Sequence, residues 1–501
     1  MPIVIFHYHL LPGGVTNVIV SQVQALKKTG NTEKVVIACG RKDNTDNVVS
    51  RIQGAEIRVH PELDYMYGNP SQQEAKQKTE HIRNLLLERY SGYLWWVHNY
   101  HLGKNPLFTR ALLDIISTNT HQKAVLHIHD FPECGRYRNL EYLKRYCSFP
   151  LYPVRQNIVY AVINGRDASY LQQAGIPNQR IRLLPNPVSG KTIETKTPAD
   201  SRWFSKLIGS EFSNLDPELP YILYPVRTIR RKNVLEAGLL TLASEKPVNL
   251  FITLPGVSPQ EKPYSDQVEQ LFRQGVIPGA WGVGTIDADN APSFEQVIAG
   301  AELIISTAVQ EGFGLLFLNA LEWGKPLFAR YLTVLDGISD IFEGVPHSFY
   351  TELKVPITKH ERTRLLDIYK GMLKERESLI PEEAVQKLDR IIMQAFAGGT
   401  TDFYLLDIEA QKAVLTEMRR SEYAEEVREL NKEILKGFTS CLESDEQPSA
   451  LIIEKRFGLQ SYGMKMRYTV KLTEVEGVTA DKEGNSDKGN YYTLRDTKRD
   501  T

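Results

Sequence analysis

The chain has 501 residues, more than one hydrophobic core usually supports, so two domains with an appendage are expected. Its 42% hydrophobic and 24% charged residues are globular values, and 60 Lys and Arg against 61 acidic residues exclude binding to nucleic acid or membrane through global charge. Any electrostatic site must therefore be local, and peripheral membrane contact stays open.

Cys39, Cys134, Cys147 and Cys441 are widely spaced and make neither a disulfide framework nor a CxxC zinc pattern, which favours a reducing cytoplasm. "MPIVIFHYHL" runs straight into a strand without a basic leader, so no signal peptide is expected, and no apolar run approaches the ~20 residues that span a bilayer.

Short apolar runs alternate with amphipathic stretches, the pattern of βα units around parallel sheets. "IVIFHYH" (3–9) reads as a strand, "PGG" (12–14) as a turn, and 15–30 as a helix closed by Gly30. "KVVIACG" (34–40), "YLWWVHNY" (93–100), "AVLHIHDF" (124–131), "VYAVINGRD" (159–167) and "IRLLPNPV" (181–188) complete the first half. Residues 190–218 read as an interdomain connection. A second series follows in "YILYPVRTIRRKN" (221–233), "VNLFITLPG" (248–256), "AELIISTAVQEGFG" (301–314) and "KPLFAR" (325–330). Two Rossmann-like domains facing across a cleft are expected, with ligands at the carboxyl ends of the strands. From about 351 to 440 the chain is helical and charged. "SALIIEKRFG" and "MKMRYTVKL" suggest a short hairpin, and the polar end of the chain suggests disorder. The expected divisions are 1–217, 218–440 and a tail at 441–501.

In "YPVRTIRRKN", Arg227 and Lys232 flank a strand end and a helix start, where two cations can stabilise the charge that develops on a departing diphosphate. A solvated helix start explains the same residues. In "TAVQEGFGLLFLNALEWG", a buried strand leads through glycine-flanked Phe313 into a helix whose first N–H groups are open to a ligand. Gly312 and Gly314 permit close approach, and Glu311 can accept hydrogen bonds from sugar hydroxyls.

This order of parts resembles the family 4 retaining glycosyltransferases of GT-B fold: an Arg/Lys pair, a Glu-x7-Glu motif beginning "EGFG", an N-terminal "GG" loop (Gly13, Gly14), and a histidine ending an N-domain strand (His129 in "HIHD"). The resemblance covers residues 1–345 and extends by helical pattern towards 440. It implies transfer of a hexosyl group from a UDP-, GDP- or ADP-hexose with retention, without a required metal or other cofactor and without a side-chain nucleophile. It further implies that Arg227, Lys232 and Gly14 hold the diphosphate, that Glu311 binds the donor sugar, and that His129 lies by the reacting centre. Gly13, Gly312, Phe313, Gly314 and Asn319 would line the donor sugar and nucleotide site.

Asn319 departs from the pattern. The family's second Glu accepts from both ribose hydroxyls, whereas an amide has a single carbonyl acceptor. Either Asn319 holds the ribose by one bond, or the donor sits differently, or Glu322, one turn further on the same helix face, supplies the carboxylate. A GT-B protein that binds a sugar nucleotide or a partner without turnover is the alternative.

On the acceptor side, His7 and His9 share one sheet face, as do His127 and His129, and His98 and His101 stand at a neighbouring strand end. Sugar hydrogen bonding, core packing and a metal site all fit this pattern, although no Asp, Glu or Cys completes a ligand spacing. Lys104, Arg136 and Arg138, with His98 and His101, are candidates for an anionic acceptor. "NGRD" (164–167) reads as a cleft loop or a helix cap, and "DADN" (287–290) as a turn.

Overall fold

Continuous runs of Ile, Val, Leu and aromatic residues, unbroken by the polar alternation of a half-exposed sheet, require strands covered on both faces. In the computed structural model, which describes residues 1–42, 51–147, 150–188, 202–208, 212, 214–286, 293–444 and 451–473, they form two parallel sheets. The turn at 287–290, most of the 190–218 connection and the polar end from 474 lie outside the described residues.

The first sheet contains β1 (Ile3–Leu10), β2 (Val35–Lys42), β3 (Glu56–Val59), β4 (Leu94–His98), β5 (Ala124–Ile128), β6 (Ile158–Val162) and β7 (Ile181–Leu183), in the order β3-β2-β1-β4-β5-β6-β7. Chain order reverses at β1, between β2 and β4, which makes the β1/β4 crevice the topological switch point. Buried side chains pack on both faces, with Phe6, Trp95 and Phe108 on one and Ile5, Trp96 and Val125 on the other.

The second sheet contains β8 (Tyr221–Arg227), β9 (Asn249–Leu254), β10 (Gly279–Trp281), β11 (Leu303–Ser306), β12 (Leu327–Arg330) and β13 (His347–Tyr350), in the order β10-β9-β8-β11-β12-β13. Its switch point lies between β8 and β11. The region after 351 is mainly helical, and it also pairs β14 (Lys354–Pro356) antiparallel with β15 (Thr400–Asp402). Buried Arg330 ties this region to the sheet, binding Glu236 and Asp402 with bidentate hydrogen bonds of 2.8–2.9 Å.

The chain divides into two units. One comprises Met1–Pro187, Val334–Asp340 and Leu459–Thr501, and the other Val188–Thr333 and Ile341–Gly458. The expected hairpin near 450–471 is not formed: this segment is two helices, Leu451–Phe457 and Leu459–Leu472. The apparent alternation of "MKMRYTVKL" is outweighed by helical spacing, which buries Tyr462, Met466 and Thr469 on one face. That face packs on the helix Gly14–Lys28, and Gly463 permits the approach: a Cβ there would stand 2.6 Å from the Ala25 carbonyl. Among the described residues no helix is long and apolar enough to cross a membrane, and all four cysteines are free thiols.

Candidate active site

In the second unit, the sequence after β8 makes a tight corner. Arg230–Lys232 form a 3₁₀ turn, Asn233 takes a left-handed conformation, and the helix Val234–Ala243 follows. Lys232 therefore precedes the helix and does not begin it. Tyr224 Oη donates to the Lys232 carbonyl at 2.7 Å, Thr307 Oγ1 donates to Asn233 O at 2.9 Å, and Val309 N donates to Arg231 O at 3.0 Å. These bonds fix the corner to the loop after β11.

The loop carries Glu311, whose carboxylate forms an ion pair with Lys232 and lies 3.3 Å from Arg231 Nη1. Burial lowers the Lys232 pKa, and Glu311 opposes that shift. Arg227, at the end of β8, is exposed and stands 3.5 Å from Glu261. Its charge also acts on Lys232. Arg231 and Glu261 were missed in the sequence because nothing in their spacing marks a loop-to-loop contact.

The helix after Glu311 spans Leu315–Glu322, shorter than its apolar pattern suggests, and Gly314 caps it at φ +80°, a conformation that favours glycine. Phe313 is buried and its ring faces Phe457 at 6.5 Å, while Gly312 is exposed. Asn319 is half-buried, and its amide makes no side-chain hydrogen bond among the described residues. Glu322 is buried at 4% exposure, not the solvated helix residue its charge suggests.

In the first unit the period of two brings the strand-end histidines together. Trp96 Nε1–H donates to His127 Nδ1 at 3.2 Å, and indole has no acceptor nitrogen to offer instead. His127 Nδ1 is therefore a lone pair, and the Gln22 amide nitrogen also donates to it at 3.2 Å. Gln22 Oε1 then accepts from His98 Nε2–H at 2.9 Å, so His98 Nδ1 must accept from His129 Nε2–H at 2.8 Å. The chain leaves His129 neutral, with its proton on Nε2 and Nδ1 as an acceptor that takes no hydrogen bond from the described residues. Burial holds His7, His101 and His129 down to about 3, and His98 and His127 well below their ordinary value.

His101 is fully buried among Tyr100, Phe131 and Tyr152, and neither ring nitrogen has a partner among the described residues. Asn164 caps the helix Gly165–Gln173, accepting from Asp167 N at 2.8 Å, and Arg166 pairs with buried Asp167. Gly13 precedes the helix Gly14–Lys28, and a Cβ at Gly14 would meet nothing within 4 Å, so space for a ligand is open there. Lys104 is half-buried and Arg136 pairs with Asp130, while Arg138 is exposed.

His98, His127 and His129 each offer a nitrogen within 4.8 Å of the others, so these three could hold a metal ion. The bonds from Trp96 and Gln22 occupy His127 Nδ1 and put its proton on Nε2, and both His98 nitrogens are engaged, so a metal ion would have to displace this hydrogen-bond chain.

Two parallel sheets, each with a polar cluster at its switch point, define a GT-B glycosyltransferase fold. The solved structure of HepE from Anabaena in complex with UDP is similar in fold, at a TM-score of 0.50 and 14% identity, covering 94% of this chain and 100% of that one. The same protein with UDP-glucose aligns equally well, at a TM-score of 0.50 and 14% identity over 94% of this chain and 99% of that one. No protein-family model matches the chain. In sequence it is 31% identical over 479 residues to the mannosylglucosyl-3-phosphoglycerate synthase of Petrotoga mobilis, covering 94% of this chain and 92% of the relative. The chain belongs to the family of that synthase.

Proposed function

We propose that the protein is a retaining hexosyltransferase that moves a mannosyl group from a nucleoside diphosphate sugar to a glucosylated phosphoglycerate. The observation that carries this reading is Lys232 paired with Glu311 at the β8/β11 switch point of a chain similar to that synthase over nearly its whole length.

Lys232 and Arg227 bind the diphosphate and stabilise the charge it gains as the bond to the sugar C1 breaks. Diphosphate entry draws Lys232 away from Glu311, which then accepts hydrogen bonds from the sugar hydroxyls. The acceptor oxygen bonds to C1 on the face the diphosphate leaves, and its proton passes to the departing phosphate oxygen. His129 Nδ1 accepts from a sugar hydroxyl and so orients it. No side-chain nucleophile or metal ion takes part in this scheme.

The test is to supply UDP-, GDP- and ADP-mannose with glucosyl-3-phosphoglycerate and determine the anomeric configuration of the product by NMR. The α configuration of the donor should persist. A β-linked product refutes retention, and absence of transfer from every donor refutes the reading.

A further inference from the structure

Arg41, at the end of β2, lies beside His9, at the end of β1, in direct parallel register. His9 Nε2 and Tyr65 Oη are 3.0 Å apart, and Lys104 Nζ stands 5.1 Å from the centre of the Tyr65 ring. Arg41 and Arg136 both act electrostatically on the Tyr65 hydroxyl, and Arg136 acts on Lys104. Three cations thus surround one aromatic platform, drawn from a strand end, a loop and a helix start.

Two carboxylates partly offset them. Asp64 Oδ2 lies 3.0 Å from Arg41 Nε, and Asp130 accepts from Arg136 Nε at 2.8 Å. The Lys104 ammonium has no carboxylate partner among the described residues, although it is half-buried and faces a second cation. Burying a charge in this way is costly unless an anion compensates it.

The framework is built to hold that ammonium in place. Gly103, at φ +68°, is pressed so closely against the helix Tyr137–Tyr146 that a Cβ would lie 2.5 Å from the Asn139 carbonyl. Asn139 Nδ2 donates back to Leu102 O at 2.7 Å. Met66 N donates to Lys104 O at 2.8 Å, and Asn105 Nδ2 donates to Asp64 O at 2.7 Å. These bonds lock together the segments that carry Lys104, Tyr65 and Arg136.

We infer that Lys104, Arg136 and Arg41, around Tyr65 and His9, form the subsite for the phosphate of a phosphorylated acceptor. This inference rests on the transferase reading above for the identity of the acceptor. The His9 and His7 rings meet edge to face at 5.4 Å and the His7 and His98 rings at 6.2 Å, so the subsite adjoins the histidine chain. From β2 through β1 and β4 to β5 is three strand spacings, roughly 14 Å. A glycosylated phosphoglycerate can lie along that line with its phosphate at Lys104 and its sugar hydroxyls towards His129.

The test is calorimetric titration of the full chain with 3-phosphoglycerate and with glycerate. The wild type should bind the phosphorylated compound at least about 10-fold more tightly than glycerate. Lys104→Ala with Arg136→Ala should weaken 3-phosphoglycerate roughly 100-fold, about 10-fold for each charged bond lost, with nucleoside diphosphate affinity unchanged. Lys104→Arg should retain most of the binding.

Equal affinity in the double variant, equal affinity for glycerate, or no binding by the wild type overturns the subsite. If 3-phosphoglycerate binds through these cations but no sugar is transferred, the subsite stands and the transferase reading falls. If the wild type transfers sugar and the acceptor KM is unmoved in the double variant, the reverse holds.

Discussion

Trp96 fixes the proton position of His127, and three further hydrogen bonds carry that choice to His129. The origin of the chain is a group that can only donate, so every later link has one consistent direction. Gln22 is the relay: its amide nitrogen faces a lone pair and its oxygen an N–H. Gln22→Met should cut kcat about 10-fold or more while leaving the Kd for nucleoside diphosphate unchanged, because His98 and His129 are then free to adopt either tautomer. An unchanged kcat would mean that the His129 tautomer has no bearing on turnover.

The two cations of the donor side should not be equivalent. Lys232 is largely buried against Glu311, whereas Arg227 is half-exposed and only loosely held by Glu261. Each charged bond is worth about 1.5–3 kcal/mol, so Lys232→Ala should lower kcat/KM by about 10- to 100-fold, and Arg227→Ala by less. The double variant should lose nearly all transfer. Steady-state rates near wild type in the double variant would remove the diphosphate from this corner.

Asn319 tests whether the ribose is held on the helix Leu315–Glu322. Asn319→Glu should change nucleotide preference or affinity more than the rate of transfer from saturating donor. Thermal-shift profiles with UDP, GDP and ADP, compared between the two proteins, decide it. An identical profile would mean that residue 319 does not touch the nucleotide.

The buried histidines set a stability limit on the acid side. Folded, His7, His101 and His129 protonate only near about 3, and burial also holds His98 and His127 well below their ordinary value, whereas an unfolded histidine takes its proton at about 6.5. Below that value the unfolded state binds more protons than the folded one, so stability falls with pH by up to about 1.4 kcal/mol per pH unit for each histidine. The stability is fully present above about pH 6.5 and is lost progressively towards about 3. Melting followed by tryptophan fluorescence from about pH 7.5 to 4.5 should show a falling Tm, and a constant Tm would contradict neutral burial. For the same reason, kcat/KM should show no ionisation near 6.5 that His129→Gln removes.

The parts of this architecture legible in the sequence are those with a short period or a local motif. Alternation placed His127 with His129, and the "EGFG" stretch marked the loop that carries Glu311. Gln22 and Tyr462 were not legible, because their contact joins helices far apart in the chain and appears in no local pattern. Arg41 was hidden in the same way: only the register of β1 on β2 brings it beside His9. The final helix was misread because its Met, Tyr and Val positions satisfy alternation over a few residues, while its buried face follows a period near four.

The helix Leu459–Leu472 also constrains how the protein is made. Tyr462 Oη receives a hydrogen bond from Gln22, 440 residues earlier, the residue that relays the histidine chain. At about 5–20 residues per second of synthesis, the helix Gly14–Lys28 waits roughly 20–90 s before the segment that covers Gln22 leaves the ribosome. Through that interval the nascent chain exposes the apolar face of the helix Gly14–Lys28, a surface that chaperones recognise. A chain truncated before residue 459 would be released with that face still bare.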